Sequence, residues 1–137
     1  HKLHQSGYFE FIRERVASGI PYVGFSAGAV IAGASISTSN IENKGYTDLD
    51  TLRFLPYGVN AHFPSSPSDR DNRIPVLWAV SRREDTGIIA IEDEAYLILR
   101  GDTLSVGKPG LWFIDGRGGE TTAEPIASGN GLRPPLS

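Results

Sequence analysis

Three side chains of this sequence could together cleave an acyl bond: the hydroxyl of Ser26, the imidazole of His62 and the carboxylate of Glu92. Ser26 stands in Gly24-Phe25-Ser26-Ala27-Gly28, a G-x-S-x-G pattern that fits a serine raised on a sharp strand-to-helix turn. Pro21-Tyr22-Val23 before it reads as a short buried strand, and Ala29-Val30-Ile31-Ala32 after it as the first turns of a helix. A serine on such a turn has a strained backbone, and a side chain at Gly24 or Gly28 would be expected to crowd the neighbouring chain. The turn also aims helix N-terminal amides, that of Ala27 first, at the space above the hydroxyl, where an oxyanion would form. The same five residues could be a small-residue helix start with Ser26 as a plain cap. The strand–turn–helix setting favours the nucleophile.

A serine hydroxyl attacks poorly until a base removes its proton, and the base works better when a carboxylate orients it. His62 is the only histidine beyond the first turn of the chain, and it ends a strand predicted over Leu55–Phe63. Polar groups at the carboxyl ends of parallel strands are where α/β sites draw their chemistry, although a satisfied strand-end histidine would look the same. The most apolar strand, Gly87–Ile91, stops at Glu92-Asp93-Glu94. Glu92 is the expected orienter, set against a solvated acidic turn shared equally with its two neighbours. In a parallel sheet the three strand ends share one edge, so the side chains can converge. The order Ser…His…Glu differs from that of α/β-hydrolases, but triads are defined by geometry and role.

The elements that must position these groups follow from periodicity. His1–Gly19 carries Tyr8, Phe9, Ile12 and Val16 on one helical face. His1 and His4 could share a face of that helix, but with no carboxylate beside them no metal site is expected. A helical turn is expected over Asp48–Phe54, a loop and candidate lid over Pro64–Asn72, and a helix over Arg73–Arg83. Tyr96–Leu99, Thr103–Val106 and Leu111–Ile114, separated by turn residues, read as antiparallel hairpins at a sheet edge. Gly118–Ser137 reads as a loosely held tail. The 137 residues make one domain or part of one. A net charge of −3 argues against nucleic acid or an anionic membrane as partner, and the lack of cysteine excludes thiol catalysis and disulfides. No apolar run is long enough to span a membrane, and a cytoplasmic location fits this composition. His1 stands where a methionine would, so the sequence is expected to begin inside a longer gene product.

The segments GFSAGAVIAGASISTSN and FLPYGVNAHF resemble the nucleophile segment and the histidine strand of the S51 serine peptidases, the dipeptidase E-like family to which cyanophycinase is related. DRDNRIP and IIAIEDEAYLIL resemble the following helix and a strand leading to a glutamate. The match runs from about Ser6 to about Ile114. It implies an α/β fold of class I glutamine amidotransferase type, with a mostly parallel sheet flanked by helices and antiparallel hairpins at its C-terminal edge. Residues 1–117 would be the C-terminal portion of one such domain, and 118–137 its tail. It also implies Ser26 and His62 as catalytic pair, Glu92 as triad acid, the Ala27 amide as oxyanion donor and Arg70 as a substrate-binding guanidinium. Members often carry an aspartate directly after the Ser-Asn segment; here Ile41 follows Asn40, which brings in Asp48 or Asp50 as alternative acids. The family fold places a Rossmann-like unit upstream, so an N-terminal segment on a separate or cleaved chain is an expected partner, and a second copy another. No cofactor is implied. The activity implied is a serine exopeptidase acting on short peptides through an acyl-enzyme, with acidic P1 residues as candidate preference. The alternatives are a cyanophycinase-like hydrolase of an Asp/Arg polymer and a catalytically silent amidotransferase-like binding domain.

Overall fold

The computed structural model describes residues 6–39, 50–101 and 103–127. Helix α1 spans Tyr8–Ala17 and a short helix α2 spans Ala27–Ala32, followed by a 3₁₀ turn at Ser37–Ser39. Strand β1 (Gly58–Ala61) leads into helix α3 (Pro67–Glu84). Then come β2 (Ile88–Ile91), β3 (Tyr96–Arg100), β4 (Thr103–Lys108), β5 (Leu111–Asp115) and β6 (Thr122–Pro125). The main sheet has the order β1-β2-β5-β6. β1 and β2 are parallel, while β5 runs antiparallel to both β2 and β6, so only β5 opposes the common direction of the other three. β3 and β4 form a separate antiparallel hairpin. The fold is thus mixed α/β; of the hairpins expected at the sheet edge, β3–β4 forms a two-stranded sheet of its own, whereas β5 lies inside the main sheet between β2 and β6.

Alternation along β2 divides the core. Ile88 and Ala90 face α3, where Leu77, Val80, Phe63 and Ile114 close around them. Ile89 faces the other way, with Leu55, Tyr57, Val59, Leu104 and Leu111, and Ala29 of α2 packs on that side. Each such fully buried aliphatic side chain contributes roughly 1.5–3 kcal/mol through removal of apolar surface from water. The two-faced burial of β2 explains its unbroken apolar run, as expected of a central strand covered on both sides.

Four local expectations need correction. Residues 20–25 form neither helix nor strand, and Val23 and Phe25 are 73% and 82% exposed, so the segment is not a buried strand. Residues 50–54 form no helix: Arg53 adopts φ 54°, and the amides of Leu52 and Leu55 bond instead to the carbonyls of Ile31 and Ala32 at the end of α2. The remainder of that predicted turn, including Asp48, lies outside the described residues, as do His1 and His4. Much of the supposed lid is helix, because Pro67 sits in the first turn of α3, where its missing N–H is not needed, and Asp69 suits the positive N-terminal end. Within the stretch read as a tail, Thr122–Pro125 pair with β5 as β6. Among the described residues no helix is long and apolar enough to cross a membrane.

α3 is tied to the sheet through Ser81 and Asp115. The Ser81 hydroxyl accepts from the Gly116 amide at 3.0 Å and lies 3.5 Å from Asp115 Oδ1. Arg117 binds the same carboxylate in a fork, Nε to Oδ1 at 2.9 Å and Nη2 to Oδ2 at 3.0 Å. Hydrogen bonding from Arg117 outweighs desolvation and holds the Asp115 carboxyl below its ordinary range. A carboxyl depressed in the folded state stabilises the fold above its unfolded pKa of about 4, and that gain disappears as pH falls through the lower folded value. Asp115→Asn should therefore lose about 1–2 kcal/mol in denaturant unfolding at pH 7, with the difference from wild type shrinking as the pH is lowered below about 4.

Candidate functional site

Ser26 carries the geometry that the G-x-S-x-G pattern anticipates. Its backbone lies at φ 50°, ψ −116°, sparsely populated for a residue with a side chain, and it immediately precedes α2. Gly24 makes the bend possible: a Cβ there would lie 2.5 Å from the Gly28 carbonyl oxygen and 2.9 Å from the Ala29 nitrogen. Gly28 is not constrained in that way, since a Cβ there would meet only the Tyr22 hydroxyl at 3.7 Å. That hydroxyl instead donates to the Gly28 carbonyl at 2.6 Å and ties the approach segment to the helix. At the other end of α2, Gly33 lets the chain close on β1, where a Cβ would sit 2.7 Å from the Tyr57 carbonyl oxygen. The Ala34 amide donates to that carbonyl at 2.8 Å.

The amides of Gly28, Ala29 and Val30 turn inward to the carbonyls of Phe25 and Ser26. Among the described residues the Ala27 amide makes no such bond, which leaves it beside the serine as an open donor.

His62 follows β1 at φ 57° and reaches both a hydroxyl and a carboxylate. Ser26 Oγ lies 2.9 Å from His62 Nε2, and His62 Nδ1 lies 2.5 Å from Asp93 Oδ1. The structure brings Ser26 and His62 together and sets Asp93, not Glu92, behind the ring. An ionised carboxylate only accepts, so Nδ1 carries the proton, and in the neutral ring the Nε2 lone pair faces the serine hydroxyl. The imidazole and carboxylate are 63% and 73% exposed, which makes the site open to solvent in this chain.

Glu92 points elsewhere. Its carboxylate meets Arg70 Nη2 at 3.4 Å, and both side chains are about one-fifth exposed. Continuation of the alternation of β2 explains the exchange: Ile88 and Ala90 face α3, so Glu92 falls on the α3 side with Arg70, and Asp93 on the opposite side with Ser26. The sequence alone pointed to Glu92 for the role behind the ring, although this period of two was present in Ile88–Ile91. The alternative acid Asp50 accepts from the Thr51 amide at 2.9 Å and lies 3.6 Å from Arg13 Nη2. Arg70 donates from Nε to the Pro64 carbonyl at 3.3 Å and from Nη2 to the Ser65 carbonyl at 2.6 Å.

Residues 1–107 match the family described as Peptidase family S51. The chain belongs to peptidase family S51. Peptidase E of a Shewanella strain (W3-18-1) is 37% identical over 112 residues, covering 76% of this chain and 46% of that protein. Peptidase E of Shewanella amazonensis is 33% identical over 141 residues, covering 96% of this chain and 57% of its own length. This S51 chain therefore spans about half the length of the curated relatives it matches.

The tautomer is measurable without any substrate. In nitrogen-15 NMR of the neutral His62 ring, Nδ1 should appear protonated and Nε2 unprotonated, with a downfield Nδ1–H proton. Asp93→Ala should abolish that proton signal, whereas Asp50→Ala should leave it in place.

Proposed function

We propose that this chain is the catalytic part of a serine peptidase that hydrolyses short peptides through an acyl-enzyme on Ser26. The single observation that carries the proposal is the 2.9 Å contact between Ser26 Oγ and His62 Nε2, with Asp93 at the far ring nitrogen. The S51 family and the relatives named Peptidase E support hydrolysis of peptide bonds. As Oγ attacks the scissile carbonyl carbon, Nε2 takes the hydroxyl proton, and the developing oxyanion is offered the Ala27 amide. Collapse breaks the C–N bond, with the leaving nitrogen taking the proton from Nε2. Water then attacks the acyl-enzyme with His62 again as base, and Oγ recovers a proton as the acid product leaves. Asp93 holds the ring in the reactive tautomer and stabilises the imidazolium; loss of such a carboxylate costs about 10⁴-fold in kcat. One oxyanion donor is worth about 10²- to 10³-fold.

An acidic P1 preference through Arg70 has little support, because that guanidinium faces Pro64, Ser65 and Glu92. Segment 20–25 is where part of the remaining length of a protein the size of its relatives would dock. Its backbone amides from Tyr22 to Phe25 have no sheet partner among the described residues, while Ile20, Val23 and Phe25 are half-exposed or more. An apolar segment with free backbone amides next to the nucleophile is a template on which a strand can pair. The occupant proposed is a strand from a separate segment of the same protein, which would also exclude water from an open site and strengthen its electrostatics.

Two measurements test these statements. A serine-reactive phosphonate should add one adduct at Ser26 of the natural protein, and Ser26→Ala should abolish both the adduct and peptide hydrolysis; a protein that hydrolyses peptides unchanged without Ser26 would refute the nucleophile. In hydrogen exchange, the amides of Val23, Gly24 and Phe25 should exchange at least about 10²-fold more slowly in the assembled protein than in this chain alone. Equal exchange in both would remove the docking strand.

A further inference from the structure

We propose that Arg70 is a positioning residue that fixes the spacing between the His62 imidazole and the Asp93 carboxylate. The proposal rests on the peptidase reading for its kinetic consequence but not for its structural one. Arg70 lies in the first part of α3, with its side chain 20% exposed. Its donors reach the Pro64 and Ser65 carbonyls, two and three residues beyond His62. The same Nη2 lies 3.4 Å from Glu92 Oε1, in the residue directly before Asp93. One planar guanidinium therefore joins the chain just past the imidazole to the chain just ahead of the carboxylate.

Both ends of that bridge are fixed independently. The guanidinium carbon sits 4.4 Å from the centre of the Trp112 ring, which packs in turn against Phe63 at 5.9 Å, adjacent to His62. The Glu92 amide donates to the Gly110 carbonyl at 3.0 Å, and its own carbonyl accepts from Ala95 at 3.0 Å. Its carboxylate is packed so close to Gly110 that a Cβ there would lie 2.6 Å from Oε2. The need for such a brace follows from exposure. The His62–Asp93 pair is mostly in solvent, and exposed ion pairs contribute only about 0–1 kcal/mol, too little to hold two side chains in one geometry. Arg70, stacked and mostly buried, supplies the order that the pair lacks. A lysine cannot replace the fork and the stack together.

The test compares Arg70→Gln and Arg70→Lys with wild type in the natural protein, on Asp-Xaa and on neutral dipeptides. Misplacement of catalytic groups by about 1 Å costs up to about 10²-fold. Arg70→Gln should therefore lower kcat about 10- to 100-fold, equally on both peptides, with KM changed by less than about 2-fold. Arg70→Lys should fall between, and Glu92→Gln added to Arg70→Gln should bring no further loss. The downfield Nδ1–H signal of His62 should broaden or vanish in Arg70→Gln. A loss confined to acidic peptides and expressed in KM would make Arg70 a substrate contact and overturn the proposal, as would an unchanged kcat with an unchanged His62 signal. If Ser26→Ala left hydrolysis intact, the peptidase reading would fall, and the His62 signal in the Arg70 variants would still decide the role of Arg70.

Discussion

A strained backbone at one serine is the constraint on which the rest of this structure depends. Ser26 at φ 50°, ψ −116° is a conformation that an unsupported chain would leave, and such positions cost on the order of 1–3 kcal/mol. Its supports are visible on both sides. Upstream, Gly24 lets the approach segment pass against the first turn of α2, and the Tyr22 hydroxyl fastens the two together. Downstream, the amides of Leu52 and Leu55 and the Gly33 contact lock the end of α2 onto the return chain and β1. His62 adds a second left-handed residue at the end of β1, so both members of the pair are held where their backbones would not rest alone.

The sheet converts that local strain into a site. Parallel pairing of β1 with β2 in the register Ala61↔Ile91 brings the residues after each strand side by side. The Phe63 amide extends the pairing with a 2.9 Å bond to the Ile91 carbonyl, immediately past His62. Two carboxylates in succession then serve opposite faces. Asp93 meets the imidazole on the side of α2, and Glu92 meets Arg70 on the side of α3. A single strand end thereby supplies both a ring partner and an anchor for the helix behind it.

Much of this was legible in the residues. The G-x-S-x-G turn, the histidine after an apolar strand and the late hairpins each rest on a local rule, so Ser26, His62 and β3–β4 could be placed from sequence. Glu92 against Asp93 turned on one residue of parity, which a strand boundary blurs. The start of α3 was hidden because Pro64–Asn72 has the composition of a loop, whereas Pro67 is favourable in a first helical turn. Residues 20–25 illustrate a different limit. Their apolar character announced a buried strand, but burial of a strand requires partners that the described residues do not supply. The same exposure leaves the His62–Asp93 pair in solvent.

The assignment of Asp93 behind the ring separates this account from one built on the acidic run alone. The most direct measurement is the rate of phosphonate addition to Ser26 in Asp93→Asn and in Glu92→Gln, compared at pH 7. A neutral amide at Asp93 should slow addition by about 10³- to 10⁴-fold, since it neither fixes the tautomer nor balances the imidazolium. Glu92→Gln, which keeps an acceptor for Arg70, should slow it by no more than about 10- to 100-fold. The reverse order, with Glu92→Gln the more damaging, would contradict the account.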